Sequence, residues 1–194
     1  LDRADAHTDA QARTRALSLS ELAVPIFKAW ATERSIDAAN MALQIHGGSG
    51  YIEETGVAQI LRDTRVTTIY EGTTAIQAND LWSRKILRDG GATMNVLLDE
   101  FQGTCHSLLH CADSQLKGLA ASLQKAISSV RVCVNWIVQI GGSQPRVVAA
   151  GAVPFLEVCG GLAAAVLLCR AALDASRQDH AVLARNKRVV ASYF

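Results

Sequence analysis

Prolines are scarce in this sequence: Pro25, Pro145 and Pro154 are the only three in 194 residues. Proline is the strongest helix breaker, so its rarity leaves room for long helices, and the wealth of Ala, Leu and Arg favours helix over sheet. An excess of charge is also missing, because 19 basic and 18 acidic side chains leave a formal net charge of +1. That balance gives no electrostatic case for nucleic acid or for an anionic membrane surface. There is no Cys-x-x-Cys pair, and the five cysteines (Cys105, Cys111, Cys133, Cys159, Cys169) all fall in the second half. An odd count inside apolar helical patterns points to reduced thiols in a cytoplasmic compartment. No apolar signal-peptide core stands in LDRADAHTDAQ at the start, nor does the chain open on Met. The first residues read as the tail of an element begun earlier, and the closing ASYF lacks a C-cap, so a piece of a longer polypeptide is expected. Finally, no clean apolar run is long enough for a bilayer. Pro154, Glu157 and Arg170 interrupt residues 146–172, and the stretch from Val158 to Cys169 falls short of the roughly 18–20 residues a span needs. A buried central helix packed through its small residues is expected there instead.

What is present is apolar, helical and punctuated by glycine. Hydrophobic residues make up 49% and charged ones 19%, which excludes disorder and supplies a core for one large or two small domains. Thr8 and Asp9 offer an N-cap to a helix through about Leu22, and Pro25 is expected to restart or kink it. Ile26, Trp30, Ile36, Ala39, Met41 and Leu43 then predict a buried helix ending at Gly47-Gly48. A short helix follows over Val57–Leu61, and β-rich VTTIY at 66–70 reads as extended. Thr73 caps a helix whose apolar face is Ile76, Leu81, Ile86 and Leu87. The glycines of RDGGAT mark a joint, dividing the chain into sections 1–90 and 91–194. Beyond it, Met94, Leu97, Leu98, Phe101, Cys105, Leu108 and Ala112 form one helical stripe, and Leu116, Leu119, Leu123, Ile127, Val130, Val134 and Ile137 form another. Ser143 caps and Pro145 opens a third helix, and His180–Phe194 supplies a fourth, which predicts an up-down bundle.

Two constellations invite chemistry. In CHSLLHC, His106 and His110 lie one helical turn apart, but Cys105 belongs to the apolar stripe and both histidines to the opposite face. Too few ligands converge for zinc, and two surface histidines are the better reading. In QIHGGSGYIEETG the glycines lack the strand and spacing of a dinucleotide fingerprint, and by themselves support only helix stops and turns.

Those glycines do not stand alone. Gln44, Ile45, Gly47, Gly48, Gly50 and Tyr51 precede Arg62-Asp63, and Ile69, Tyr70, Glu71, Gly72, Thr73, Ile76 and Gln77 follow. This order resembles the C-terminal helical domain of acyl-CoA dehydrogenases, most clearly over residues 25–88, while residues 93–194 resemble, in composition and position, a helical domain appended in one branch of that family. The resemblance implies an all-α fold and FAD-dependent α,β-dehydrogenation of an acyl-CoA thioester. It implies Glu71 as the base that removes the α-proton, with Tyr70 and Gly72 against the substrate. Thr73 and Ala75 would lie against the flavin, and Gln44, Ile45, His46, Gly47 and Gly48 would reach the FAD of a neighbouring subunit in a dimer or tetramer. The implied electron acceptor is an electron-transfer flavoprotein. The family also builds its flavin site from two domains that these 194 residues do not contain, so the isolated chain is expected neither to hold FAD firmly nor to turn over. A non-catalytic helical interaction or oligomerisation module that keeps these motifs as structure stands as the alternative.

Overall fold

The computed structural model describes residues 8–176 and 181–193, and no strand occurs among them. Helix α1 (Ala10–His46) is followed by a single turn α2 (Gly48–Tyr51), a 3₁₀ turn at Glu53–Thr55 and α3 (Val57–Val66). Helix α4 (Thr74–Asp80) continues through a π-helical segment, Leu81–Ile86, into a 3₁₀ turn, Leu87–Asp89. The rest is α5 (Ala92–His110), α6 (Ser114–Ile140), α7 (Pro145–Ala150), α8 (Ala152–Ser176) and α9 (Ala181–Tyr193).

The break expected at Pro25 is absent. Helix α1 runs unbroken for 37 residues, opened by the Asp9 carboxylate, which accepts from the N–H groups of Gln11 and Ala12. Proline inside a helix costs about 3 kcal/mol. Leu22 and Ile26 on either side are buried, and each contributes about 1.5–3 kcal/mol, so packing outweighs the lost hydrogen bond. The extended reading of VTTIY also fails. Helix α3 carries on to Val66, and residues 67–71 are turns in which the Thr67 and Thr68 hydroxyls donate to the carbonyls of Thr64 and Arg65. These back-bonds hold β-branched residues in a helical turn, and no strand among the described residues draws them out.

The stripes of α5 and α6 form the core much as their periodicity predicts. Met94, Leu98, Phe101, Cys105 and Leu108 pack with Leu116, Leu123, Ile127, Val130, Val134 and Ile137. The predicted third helix is split at Gly151 into α7 and α8, and its N-cap is Gln144 rather than Ser143, whose hydroxyl donates to the Ile140 carbonyl. Helix α8 is long and apolar enough to cross a membrane by length and composition. Here it is the central strut, touching α1, α4, α5, α6 and α9. Its small residues allow that crowding: a Cβ on Gly160 would stand 2.2 Å from Cγ of Trp30 on α1. The joint at Gly90-Gly91 has both φ angles positive, at 65° and 79°. One apolar core nevertheless runs from Leu22, Ala78 and Leu81 to Val134, Leu156 and Val166.

On α4 the predicted apolar face is only half right. Leu81 and Ile86 are fully buried, whereas Ile76 is 58% exposed. The π-helical segment inserts an extra residue per turn, which brings Leu81, Trp82 and Ile86 all inward behind the buried Ala78, while Ile76 at the start of α4 stays in solvent.

Candidate functional site

The turn between α3 and α4 holds Tyr70, Glu71, Gly72 and Thr73. Glu71 is the one non-glycine residue with positive φ among the described residues, at 54°, and Gly72 follows at 91°. A side chain in the left-handed region costs about 1–2 kcal/mol, so the surroundings must hold it there. Four contacts do so. The Gln77 side-chain amide donates to the Glu71 carbonyl at 2.8 Å, and the Lys28 ammonium on α1 donates to the Gly72 carbonyl at 2.5 Å. The same ammonium lies 5.8 Å from the centre of the Tyr70 ring. Further along α1, Glu33 accepts from the Thr74 hydroxyl at 2.5 Å. Gly72 is needed for more than its φ, since an added Cβ would sit 3.1 Å from Gln77 Nε2 and 3.3 Å from Ile76 Cγ2.

The turn leaves its functional groups outward. The Glu71 carboxylate is exposed and has no hydrogen-bond or ion-pair partner among the described residues. The N–H groups of Glu71, Gly72 and Thr73 likewise donate to no protein acceptor there. Thr73 occupies the N-cap position of α4, but its hydroxyl makes no capping bond, so the expected side-chain cap is corrected to a backbone one: its carbonyl accepts from Gln77. Ala75 is exposed in the first turn of α4. Around them Val66, Ile69, Tyr70 and Ile76 are all more than half exposed, an apolar rim beside a free carboxylate.

Gln44, Ile45, His46, Gly47 and Gly48 lie elsewhere, at the C-terminal end of α1. Eleven residues separate Glu33 from Gln44, about 17 Å along the helix. The structure therefore presents two separate surfaces. All five residues are exposed, and Ile45 is 83% so. Gly47 ends the helix with φ 58°, its N–H returning to the Gln44 carbonyl. A Cβ on Gly48 would meet nothing, whereas one on Gly50 would stand 2.5 Å from the Leu43 carbonyl oxygen. Behind them Arg62 forms a two-pronged pair with Glu53, at 2.9 and 2.8 Å. That pair holds the Glu53 carboxyl below the usual carboxylate range, first through the hydrogen bond and then through charge.

Other candidates carry less chemistry. His106 and His110 are exposed, with rings 4.1 Å apart, and no group of three metal-ligating side chains converges among the described residues. A cavity of about 270 Å³ between Trp82, Trp136, Val148, Phe155 and Val158 is apolar and lined by no charged side chain. Lys28, Glu33 and Gln77 were not legible as site residues. Gln77 belongs to the I-Q motif, but nothing local marks Lys28 or Glu33, which meet the turn only through the tertiary fold.

Comparison with known proteins gives the family of this helical scaffold. Residues 3–86 match the acyl-CoA dehydrogenase C-terminal domain, and residues 97–194 match a domain described as acetyl-CoA dehydrogenase C-terminal like. The chain belongs to the acyl-CoA dehydrogenase family. It is 42% identical over 178 residues to the 3-methylmercaptopropionyl-CoA dehydrogenase of Ruegeria pomeroyi, covering 92% of this chain and 30% of that protein. It is 31% identical over 198 residues to the broad-specificity linear acyl-CoA dehydrogenase FadE5 of Mycobacterium tuberculosis, covering 92% and 31%. A 3-(aryl)acrylate reductase of Clostridium sporogenes is 50% identical over 50 residues, 26% of this chain and 13% of that protein. The chain thus spans about 30% of the length of the first two relatives.

Proposed function

We propose that this chain supplies the catalytic base and part of the flavin site of an FAD-dependent acyl-CoA dehydrogenase, with Glu71 removing the α-proton of an acyl-CoA thioester. The observation that carries this reading is the Glu71 carboxylate, unpartnered on a turn whose backbone is tied down from α1 and α4. A carboxylate bound to no arginine keeps its lone pairs for a substrate proton. The free N–H groups beside it suit the thioester oxygen, where negative charge builds as the proton leaves. Tyr70 and Gly72 flank the acyl group.

The residues fit the cofactor as well. Thr73 and Ala75 stand at the start of α4, where backbone donors and the helix dipole favour electron-rich groups. Gln44 to Gly48 form an exposed end in which the fold makes no use of the missing Cβ at Gly48, leaving room for a flavin nucleotide on a neighbouring subunit. When bound, the flavin supplies the acceptor for the hydride from Cβ. The electron acceptor would be an electron-transfer flavoprotein. Because the Glu71 face is open to solvent, the dry environment that strengthens a carboxylate base comes from elsewhere in a dimer or tetramer of the complete chain, and this chain alone does not turn over. The five free thiols fit a cytoplasmic setting, and the two sections at 1–90 and 91–194 are retained as the domain division.

The test is Glu71→Gln in the complete chain. Flavin absorbance should be retained, while dye reduction and solvent exchange of the substrate α-proton fall by at least about 10²-fold. Exchange at the wild-type rate would sink the assignment. A non-catalytic interaction module would show no flavin bleaching by any acyl-CoA.

A further inference from the structure

We infer that Lys28 is a positioning residue, which aims Glu71 and the donors beside it by fixing the Gly72 carbonyl; the inference rests on the reading of Glu71 as the base. The argument starts from the peptide planes. A trans peptide is planar, and its C=O and N–H point in opposite directions. Fixing the Glu71 carbonyl therefore fixes the direction of the Gly72 N–H, and fixing the Gly72 carbonyl fixes that of the Thr73 N–H. Gln77 does the first from within α4, at 2.8 Å. Lys28 does the second from α1, at 2.5 Å, across a sequence separation of 44 residues. The two constraints flank the Glu71–Gly72 link, where consecutive positive φ angles would otherwise relax.

Lys28 has the features of a dedicated device. It is partly buried, and among the described residues it has no carboxylate partner. Its charge is directed at one backbone carbonyl and, at 5.8 Å, at the face of the Tyr70 ring. A charge-assisted hydrogen bond of this kind is about twice as strong as a neutral one. Glu33 holds the other end of the turn through the Thr74 hydroxyl at 2.5 Å. Lys28 and Glu33 lie five residues apart on α1, a rise of about 7.5 Å, so one rigid helix grips the turn at both ends. Neither residue bonds to the Glu71 carboxylate or to the outward N–H groups of the turn. Lys28 acts through Gly72.

The test uses the complete, flavin-loaded chain with Lys28→Met, which keeps the apolar stem and removes the donor, and Lys28→Arg, which restores a donor. Misplacing a reacting group by about 1 Å costs up to about 10²-fold in rate, so Lys28→Met should lower kcat by about 10- to 100-fold while KM and flavin content stay within about twofold. Lys28→Arg should recover at least about half of that loss on a logarithmic scale. A second readout is independent of turnover: amide hydrogen exchange of residues 67–74 without substrate should quicken by about tenfold or more in Lys28→Met, with exchange in α6 unchanged. Unchanged kcat and unchanged exchange overturn the inference. So does exchange that rises equally in α6, which marks a merely structural lysine. Should Lys28→Met fail to fold, Thr74→Val loosens the other end of the grip and should give the same local exchange increase. Glu71→Gln is the parallel control. If it turns over normally the base assignment fails, whereas the exchange result still decides whether Lys28 holds the turn.

Discussion

Leu156 and Ile45 carry isomeric side chains on long helices, α8 and α1, yet Leu156 is 0% exposed and Ile45 is 83% exposed. At Leu156, helix α8 is buried in the core where α1, α4, α5, α6 and α9 pack against it. The end of α1 is not enclosed: Met41, Ile45, Tyr51 and Ile52 all face outward around it. The contrast separates residues that the fold requires from residues that it only displays. Replacing both positions by alanine breaks or sharpens the comparison. Leu156→Ala should lose about 2–5 kcal/mol, combining lost transfer energy with a cavity. Ile45→Ala should stay within about 0.5 kcal/mol. Urea unfolding of the two variants side by side measures the difference, and equal losses would show that the α1 end is also buried in the folded chain.

A smaller effect is expected where α6 begins. The Asp113 carboxylate accepts from the N–H groups of Gln115 and Leu116 at 2.9 and 3.2 Å and from Arg188 on α9 at 2.6 Å. Burial works against its ionisation, but the Leu116 N–H, Arg188 and the Gln115 N–H outweigh it, and its carboxyl titrates below the ordinary value. A lowered folded pKa means stability that is fully present above the unfolded Asp value of about 3.9 and lost as pH falls through the folded value. Asp113→Ala, which removes both cap and pair, should cost about 2 kcal/mol at neutral pH. Asp113→Asn keeps the cap and should cost about 1 kcal/mol. In both variants the Asp113 contribution to acid sensitivity should vanish, which chemical denaturation at pH 7 and below pH 4 would test.

The two regions also differ in what the sequence discloses. The stripes of α5 and α6 were legible because each helix has one buried face and the 3.6-residue period records it. Helix α8 hides its direction, since apolar residues such as Val158 and Leu167 also stand on its exposed side, but its small residues still marked it as central. The misreadings fall where tertiary burial or a local side-chain hydrogen bond overrides intrinsic propensity. Burial of Leu22 and Ile26 carries α1 through Pro25, and threonine back-bonds turn VTTIY into a helical exit. Motif order was enough to single out Glu71 and Gly72, but the grip of Lys28 and Glu33 depends on α1 lying against the turn, which no local pattern encodes.

Gly48 and Gly50 draw the comparison most finely, because two residues apart they answer to different masters. A Cβ on Gly50 would meet the Leu43 carbonyl oxygen at 2.5 Å and His46 Cβ at 2.9 Å, so glycine there lets α2 fold back against the end of α1. Gly50→Ala should therefore cost about 1–3 kcal/mol, since the atom it meets is backbone and cannot swing aside as a side chain would. A Cβ on Gly48 meets nothing and its φ is not positive, so Gly48→Ala should leave stability unchanged or raise it by about 0.4 kcal/mol through the unfolded chain. Thermal unfolding of this chain gives both values. The same Gly48→Ala change in the complete chain should lower flavin retention if the open space belongs to a neighbouring subunit's cofactor. A variant that keeps both its stability and its flavin would remove Gly48 from the proposed site and leave the rest of the turn chemistry at Glu71 untouched.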